Sequence, residues 1–329
     1  MQTSAIFLCE KPSNIDWVYG QGRRDELAAI TRLHPEVQNL ASFEANAELL
    51  RETQVIFSTW GMSDLRKEHF DRLPNLKAVF YAAGSVKGFA EKLLDRNIAL
   101  MSSWAANAVP VAEFSLAQIL LATKGYFLNT QSYKNPSSNN FKGRGNFGAT
   151  VALLGCGQIA RKLIEFLKPF ELKVMVVDPY LSDREAEGLG VRKVSLEEAF
   201  AQAYVVSNHL PNLKELREVI KGQHFASMVD HATFINTGRG AQVHEPEMLE
   251  VFQSRPDLTA LLDVTSPEPP VEGSLLYKLP NIHLSSHIAG SLGDEVVRMA
   301  DYAIGDLKKW LKGEPMKYAV TRQMLASMA

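Results

Sequence analysis

One stretch constrains the fold more than any other: VALLGCGQIARKLIEFLKPFELKVMVVD, residues 151–178. An apolar strand runs into Gly155-x-Gly157-x-x-Ala160, an amphipathic helix follows, and Asp178 ends the next apolar run. Each position has a physical task in holding a dinucleotide. Gly155 permits the tight turn. Gly157 lets backbone approach a pyrophosphate. Ala160 allows close helix–strand packing, and the helix N-terminus favours the phosphate charge. Gln158 and Ile159 open that helix and belong to the same candidate site, as does Pro179 beside the acid. Asp178 would accept hydrogen bonds from a ribose and repel a 2′-phosphate. No arginine follows it immediately, which favours NAD over NADP.

The same alternation of strand and helix covers nearly the whole chain. Before the glycine loop come SAIFLC, QVIFSTW, LKAVFYA and IALMSS, spaced by helical patterns such as DELAAITRL and SDLRKEHFDRL. After it come KVMVVD, YVVSNHL, TFINTG, LTALLDV and IHLSSH. Apolar strands separated by helices indicate parallel sheets covered on both faces. The expected fold is therefore α/β, with two doubly wound parallel sheets and a cleft between their domains. A single buried helix is expected over 109–134 with Pro110 in its first turn. A loop follows over YKNPSSNNFKGRGNFG, and a second long helix is expected over roughly 292–312. The expected domains are 1–108 plus 313–329, and 109–312.

Composition narrows the function. With 329 residues the chain is long enough for two domains. A formal net charge of −2 gives no surface suited to nucleic acid. Cys9 and Cys156 form neither a disulfide framework nor a zinc spacing, and free thiols suit a reducing cytoplasm. The N-terminus lacks a signal-peptide pattern. The longest apolar stretch, VPVAEFSLAQILLA, carries Glu113 and is too short to span a bilayer. No membrane partner is expected.

Three more motifs follow strands of the second series: NTGRG at 236–240, DVTSPEP at 263–269 and SSHIAG at 285–290. An arginine, a glutamate and a histidine thus gather at the carboxyl ends of parallel strands, where such sheets bind ligands. Taken in order, these motifs resemble the D-isomer-specific 2-hydroxyacid dehydrogenase family, over residues from about 50 to 310. The resemblance implies a flavodoxin-like substrate domain, a Rossmann cofactor domain and a homodimer. It implies a catalytic trio of Arg239, Glu268 and His287, with Arg239 also gripping the substrate carboxylate. It places Asp263 on the nicotinamide carboxamide, and Pro211, Thr237 and Gly290 around the cofactor. YAAGSVKG resembles the family's carboxylate loop, with backbone donors at Gly84, Ser85 and Val86. The chain departs from the family in having Ser286 where proline usually precedes the histidine, and Val86 where aspartate is common.

The implied chemistry is interconversion of a 2-keto acid and a D-2-hydroxy acid by hydride transfer with NAD. A protonated imidazole supplies the proton. Glu268 beside it favours the charged ring and fixes its tautomer. Other roles stay open. His283 lies deeper in the strand and suits a packed, hydrogen-bonded position; no third ligand accompanies it and His287 for a metal. His209 could line the cofactor or be structural. Trp60 and Tyr81 could touch substrate or pack as core. An NAD-sensing corepressor and a formate-type dehydrogenase are the competing functions; the latter family carries glutamine where this chain has Glu268.

Overall fold

The structure is a computed structural model and describes residues 2–43, 45–137 and 141–325. Residues 138–140 of the expected loop and the last four of the tail lie outside the described residues. The chain divides into two compact units. One takes the chain up to Asn107 and resumes at Ser291; the other is Ala108–Gly290.

The first unit holds β1 (Ser4–Leu8), β2 (Arg32–Gln38), β3 (Val55–Ser58), β4 (Ala78–Tyr81) and β5 (Ala99–Ser102). Their order is β2-β1-β3-β4-β5, all pairs parallel, which is the flavodoxin-like winding. β1, β3 and β4 are buried at every position, because helices cover both faces. β2 escaped sequence reasoning. It is an edge strand, mostly exposed, and Pro35 sits within it; edge strands tolerate proline and need no apolar pattern.

The second unit holds β6 (Thr150–Leu154), β7 (Lys173–Val177), β8 (Arg192–Lys193), β9 (Val205–Asn208), β10 (Thr233–Asn236), β11 (Thr259–Leu262) and β12 (Ile282–Leu284). Their order is β12-β11-β10-β9-β6-β7-β8, again parallel. The chain reverses its winding between β6 and β9, the point at which open α/β sheets bind ligands. The short edge strand β8 was also unexpected; two exposed residues carry no periodic signal.

The helices correct several expectations. The first long one, α1, runs Trp104–Thr123 and contains Pro110 in its interior rather than at its start. Gly125, at φ +73°, breaks the expected continuation, and a separate helix follows at Tyr126–Ser132. By length and composition alone α1 is apolar enough to cross a membrane, contrary to the reading of its apolar stretch as too short. It is a core helix: Ala112, Ile119 and Ala122 pack with β6 and with α2 (Gln158–Leu167). The other long helix, α3 (Val297–Leu311), was expected in the cofactor domain. It belongs instead to the first unit, where Met299, Ala300, Ala303, Ile304 and Leu307 join the core of that sheet. Its apolar stripe needs a face to cover, and the first sheet supplies it.

The tail does fold onto the first unit. Asp306 of α3 is buried, and its carboxylate oxygens accept hydrogen bonds from the backbone of Lys317 (2.8 Å) and Tyr318 (2.7 Å). Ala319 then bridges Met101 in antiparallel sense, and the Val320 amide donates to Leu100 O at 2.8 Å. Asp306→Ala should orphan both tail amides and lower stability by about 1–3 kcal/mol. Urea unfolding measures this; an unchanged midpoint would mean the tail is held by other contacts.

Candidate active site

Every candidate residue of the second unit lies just past a strand of its sheet. Beyond β6, Gly155 adopts φ +89°, and a Cβ there would stand 3.0 Å from His209 O. Only glycine suits both the dihedral and the approach. Gly157 caps α2, and a Cβ on it would meet nothing within 4 Å. Space is thus left above a helix N-terminus, while Ala160 is fully buried against the sheet. Gln158 is exposed and Ile159 half-buried at the start of α2, and Pro179 is exposed beyond Asp178. Asp178 accepts from the Cys156 amide at 2.7 Å and from the Tyr180 amide at 2.8 Å. The acid therefore shapes the glycine turn as well as facing its neighbourhood. Arg161, not singled out in the sequence, donates to Cys156 O (3.0 Å) and pairs with Glu185 (3.2 Å). An open turn, a helix N-terminus and an acid at the neighbouring strand end fit a dinucleotide's pyrophosphate and ribose.

Beyond β9 and β10, buried polar groups interlock. His209 is buried; its Nε2 lies 2.9 Å from Ser207 Oγ and its Nδ1 3.2 Å from Thr237 Oγ1. Thr237 in turn reaches Ser115 Oγ at 3.4 Å. Both ring nitrogens of His209 thus have hydroxyl neighbours within the unit. Asn208, Asn236 and Gln242 form a second network, and Pro211 O accepts from Gln242. Arg239 emerges from this network, half-buried. Its guanidinium donates to Gly238 O at 2.8 Å and forms no ion pair among the described residues. Burial pulls its pKa down, and the nearby Glu268 charge opposes that.

Beyond β11 and β12 lies the histidine. His287 Nδ1 is 2.6 Å from Glu268 Oε1, both side chains being partly exposed. The strand ends at Leu284, not at 287 as the pattern IHLSSH suggested, and His287 takes φ +59°. Asp263 dictates this loop. Its carboxylate, 2% exposed, accepts from Ser285 Oγ (2.6 Å), Ile288 N (2.8 Å) and Ala289 N (2.9 Å), while its carbonyl accepts from His287 N (2.9 Å). The resemblance gave Asp263 to the nicotinamide carboxamide; in the structure its carboxylate is engaged by the histidine loop. Gly290 ends that loop and the unit. His283 packs on Phe127 with ring centroids 5.3 Å apart. Its buried Nε2 has no hydrogen-bond partner, so the expected hydrogen bond is absent and only the packing stands. Burial lowers its pKa.

The first unit carries the remaining candidates by itself. Gly84, Ser85 and Val86 follow β4, and Ser102 Oγ donates to Gly84 O at 2.6 Å. Ser85 is exposed and the Val86 side chain fully buried. Asn107 was missed: its Oδ1 accepts from Ser291 N at 2.9 Å, and its Nδ2 lies 3.8 Å from where a Gly84 Cβ would stand. Only its place near the start of α1 could have suggested it. Trp60 packs on Trp17 with ring centroids 5.9 Å apart, and Tyr81 is buried against Phe89 at 5.0 Å. Cys9 and Cys156 are buried free thiols whose pKa burial pushes up.

His209 makes a pH prediction. Burial lowers its pKa from 6.5 to about 4, so the unfolded chain binds its proton more readily. The stability it contributes is present above about 6.5 and is lost as pH falls toward about 4. His209→Gln should flatten the pH dependence of unfolding in that window by up to one proton's worth, as measured by urea titrations across pH. An unaltered slope would mean that His209 is not held neutral.

Comparison with known proteins agrees with this geometry. A family model described as D-isomer specific 2-hydroxyacid dehydrogenase, NAD binding domain, matches residues 116–289. The chain is 28% identical over 227 residues to D-3-phosphoglycerate dehydrogenase of Archaeoglobus fulgidus, covering 68% of this chain and 43% of that one. It is 27% identical over 249 residues to (S)-sulfolactate dehydrogenase of Chromohalobacter salexigens, covering 74% and 81%. The chain spans about half the length of several of the curated relatives it matches. Among solved structures, a phosphoglycerate oxidoreductase from Rhizobium etli superposes with a TM-score of 0.80 at 22% identity, covering 98% and 99% of the two chains. The apo form of Rhodotorula graminis D-mandelate dehydrogenase gives 0.80 at 18%, covering 98% of each. At those identities the likeness to solved structures is one of fold. The family model covers more than half of the sequence, and the chain belongs to the D-isomer specific 2-hydroxyacid dehydrogenase family.

Proposed function

We propose that the chain is an NAD-dependent oxidoreductase that interconverts a 2-keto acid and a D-2-hydroxy acid, with the second unit holding the cofactor and the first holding substrate. One observation carries the reading. A half-buried guanidinium without an ion pair among the described residues, Arg239, stands past a strand of the same sheet as a His287–Glu268 pair. Desolvated cations of this kind are stable when an anion completes them.

Reduction needs a hydride at C2 of the keto acid and a proton on its carbonyl oxygen. Bound NADH supplies the hydride. Gly155, Gly157, Gln158 and Ile159 hold the pyrophosphate, and Asp178 holds the ribose and disfavours a 2′-phosphate. Arg239 binds the carboxylate through its planar fork and polarises the adjacent carbonyl. Glu268 accepts the Nδ1 proton of His287, which leaves Nε2 as the proton donor toward the carbonyl oxygen. The amides of Gly84, Ser85 and Val86 are the first unit's own proposed anion donors. A homodimer through the second unit is the accompanying proposal; exposed Leu121, Tyr126, Tyr133 and Phe147 are the apolar side chains it would cover.

The direct test is a panel of 2-keto acids assayed by NADH absorbance, with NADPH and with formate oxidation in parallel. Turnover with NADH above NADPH is expected. Cofactor binding without turnover of any 2-keto acid would favour the corepressor-like reading.

Three variants probe the roles. Arg239→Lys keeps the charge but loses the fork, and kcat/KM should fall roughly 10–100-fold while NADH affinity holds. Near-normal kinetics would rule out the bidentate role. His287→Ala should cost roughly 10²–10⁴-fold in rate, whereas His283→Ala should act on stability. Greater loss of turnover from folded His283→Ala would reverse the assignment.

A further inference from the structure

The Asn208–Asn236–Gln242 network is more than core filling. Gln242 is 2% exposed, Asn208 0% and Asn236 1%. A buried amide is tolerable only when its donors and acceptors are paired. Gln242 meets that condition completely. Its Oε1 accepts from Asn208 Nδ2 (2.7 Å) and from the backbone amide of Arg239 (3.2 Å). Its Nε2 donates to Leu210 O (3.0 Å) and Pro211 O (2.8 Å). One acceptor with two lone pairs and two N–H donors is all that this side chain offers, and every one is used.

The partners belong to two loops with different tasks. Leu210 and Pro211 follow β9 on the loop whose His209 carbonyl abuts Gly155. Arg239 lies on the loop after β10. Asn208 fastens the arrangement from the strand side, donating to Asn236 Oδ1 at 2.9 Å, and Asn236 Oδ1 also accepts from Gly238 N at 3.1 Å. The space is close-fitting: a Cβ on Gly238 would come within 2.9 Å of Asn208 Nδ2 and 3.0 Å of Gln242 Oε1. A side chain at 238 would therefore displace one of these amides.

We infer that Gln242 is a positioning residue whose side-chain amide sets the Arg239 loop and the Leu210–Pro211 loop as one unit, so that anion binding and cofactor binding share a single support. The inference rests on the proposed role of Arg239 as carboxylate ligand. Gln242 touches neither substrate nor cofactor; it acts through backbone.

The test uses the full chain and two ligands measured without turnover. NADH affinity is read from protein fluorescence. Anion affinity is read from titration with oxamate, a non-reducible mimic of a 2-keto acid, in the presence of NADH. Gln242→Met keeps the volume and removes the hydrogen bonds. It should weaken both ligands roughly tenfold, and raise KM by a similar factor while kcat changes by less than about threefold. In an Arg239→Lys background the effect of Gln242→Met on oxamate should largely vanish, because the loop it sets no longer carries the fork.

A purely structural role is separated by the paired variant Asn208→Leu with Gln242→Leu. Replacing both amides removes both ends of the Asn208–Gln242 bond, so folding stability should exceed that of Gln242→Met, although the backbone groups of Arg239, Leu210 and Pro211 still lose their side-chain partners. Ligand affinities should stay weak. If the paired variant regains wild-type affinity for both ligands, or if Gln242→Met and Arg239→Lys are fully additive toward oxamate, the inference is overturned. A wild type that neither binds oxamate nor reduces any 2-keto acid removes the proposed function instead. The inference about Gln242 is then decided by NADH alone: an unchanged dissociation constant in Gln242→Met overturns it, and a tenfold rise supports the coupling of the cofactor loop.

Discussion

The carboxylate of Asp263, buried beyond the end of β11, accepts three hydrogen bonds from a single loop, Ser285 to Ala289. That loop holds His287 at a positive φ, outside the strand and beside Glu268. Without Asp263 the amides of Ile288 and Ala289 lose their acceptor, and the imidazole keeps only its bond to Glu268. The same device recurs along the sheet. Asp178 holds the amides of Cys156 and Tyr180, and Gln242 holds the Arg239 amide. Parallel strands bring all these loops to one end, and buried polar side chains then give each loop one conformation.

What the side chains leave unpaired matters as much. Arg239 is half-buried with a backbone carbonyl as its hydrogen-bond partner and only the field of Glu268 to offset its desolvation. His287 is tied through Nδ1 and keeps Nε2 for other work. A cation that lacks a counter-ion among the described residues and an imidazole with one committed nitrogen are the groups on which the proposed keto-acid chemistry rests. Around Ser286, where the family usually has proline, the Asp263 bonds to Ser285 and Ile288 hold the histidine loop.

Much of this was legible in the sequence. The strands of both sheets announce themselves as apolar runs because both faces are covered. The motifs around Gly155, Arg239, Glu268 and His287 stand at strand ends because turn chemistry and charge interrupt those runs. The illegible parts share physical causes. β2 and β8 are edge strands with no burial to pattern them. α3 shows an apolar stripe, but a stripe does not say which sheet it covers. Pro110 inside α1 defeats the rule that proline opens helices. Asn208, Gln242 and Asn107 were missed because a polar residue carries no sequence mark of burial; its role depends on partners 30 or so positions away, such as Leu210 and Pro211 for Gln242.

The central claim is that Arg239 awaits a carboxylate. Calorimetric titration of the NADH-saturated protein with oxamate and with oxamide, its neutral amide, tests it most directly. The two ligands share size and the carbonyl pair and differ in charge. Oxamate should bind at least roughly tenfold more tightly, the worth of a charge-assisted hydrogen bond. Equal affinity for the two, or tighter binding of oxamide, would contradict the account.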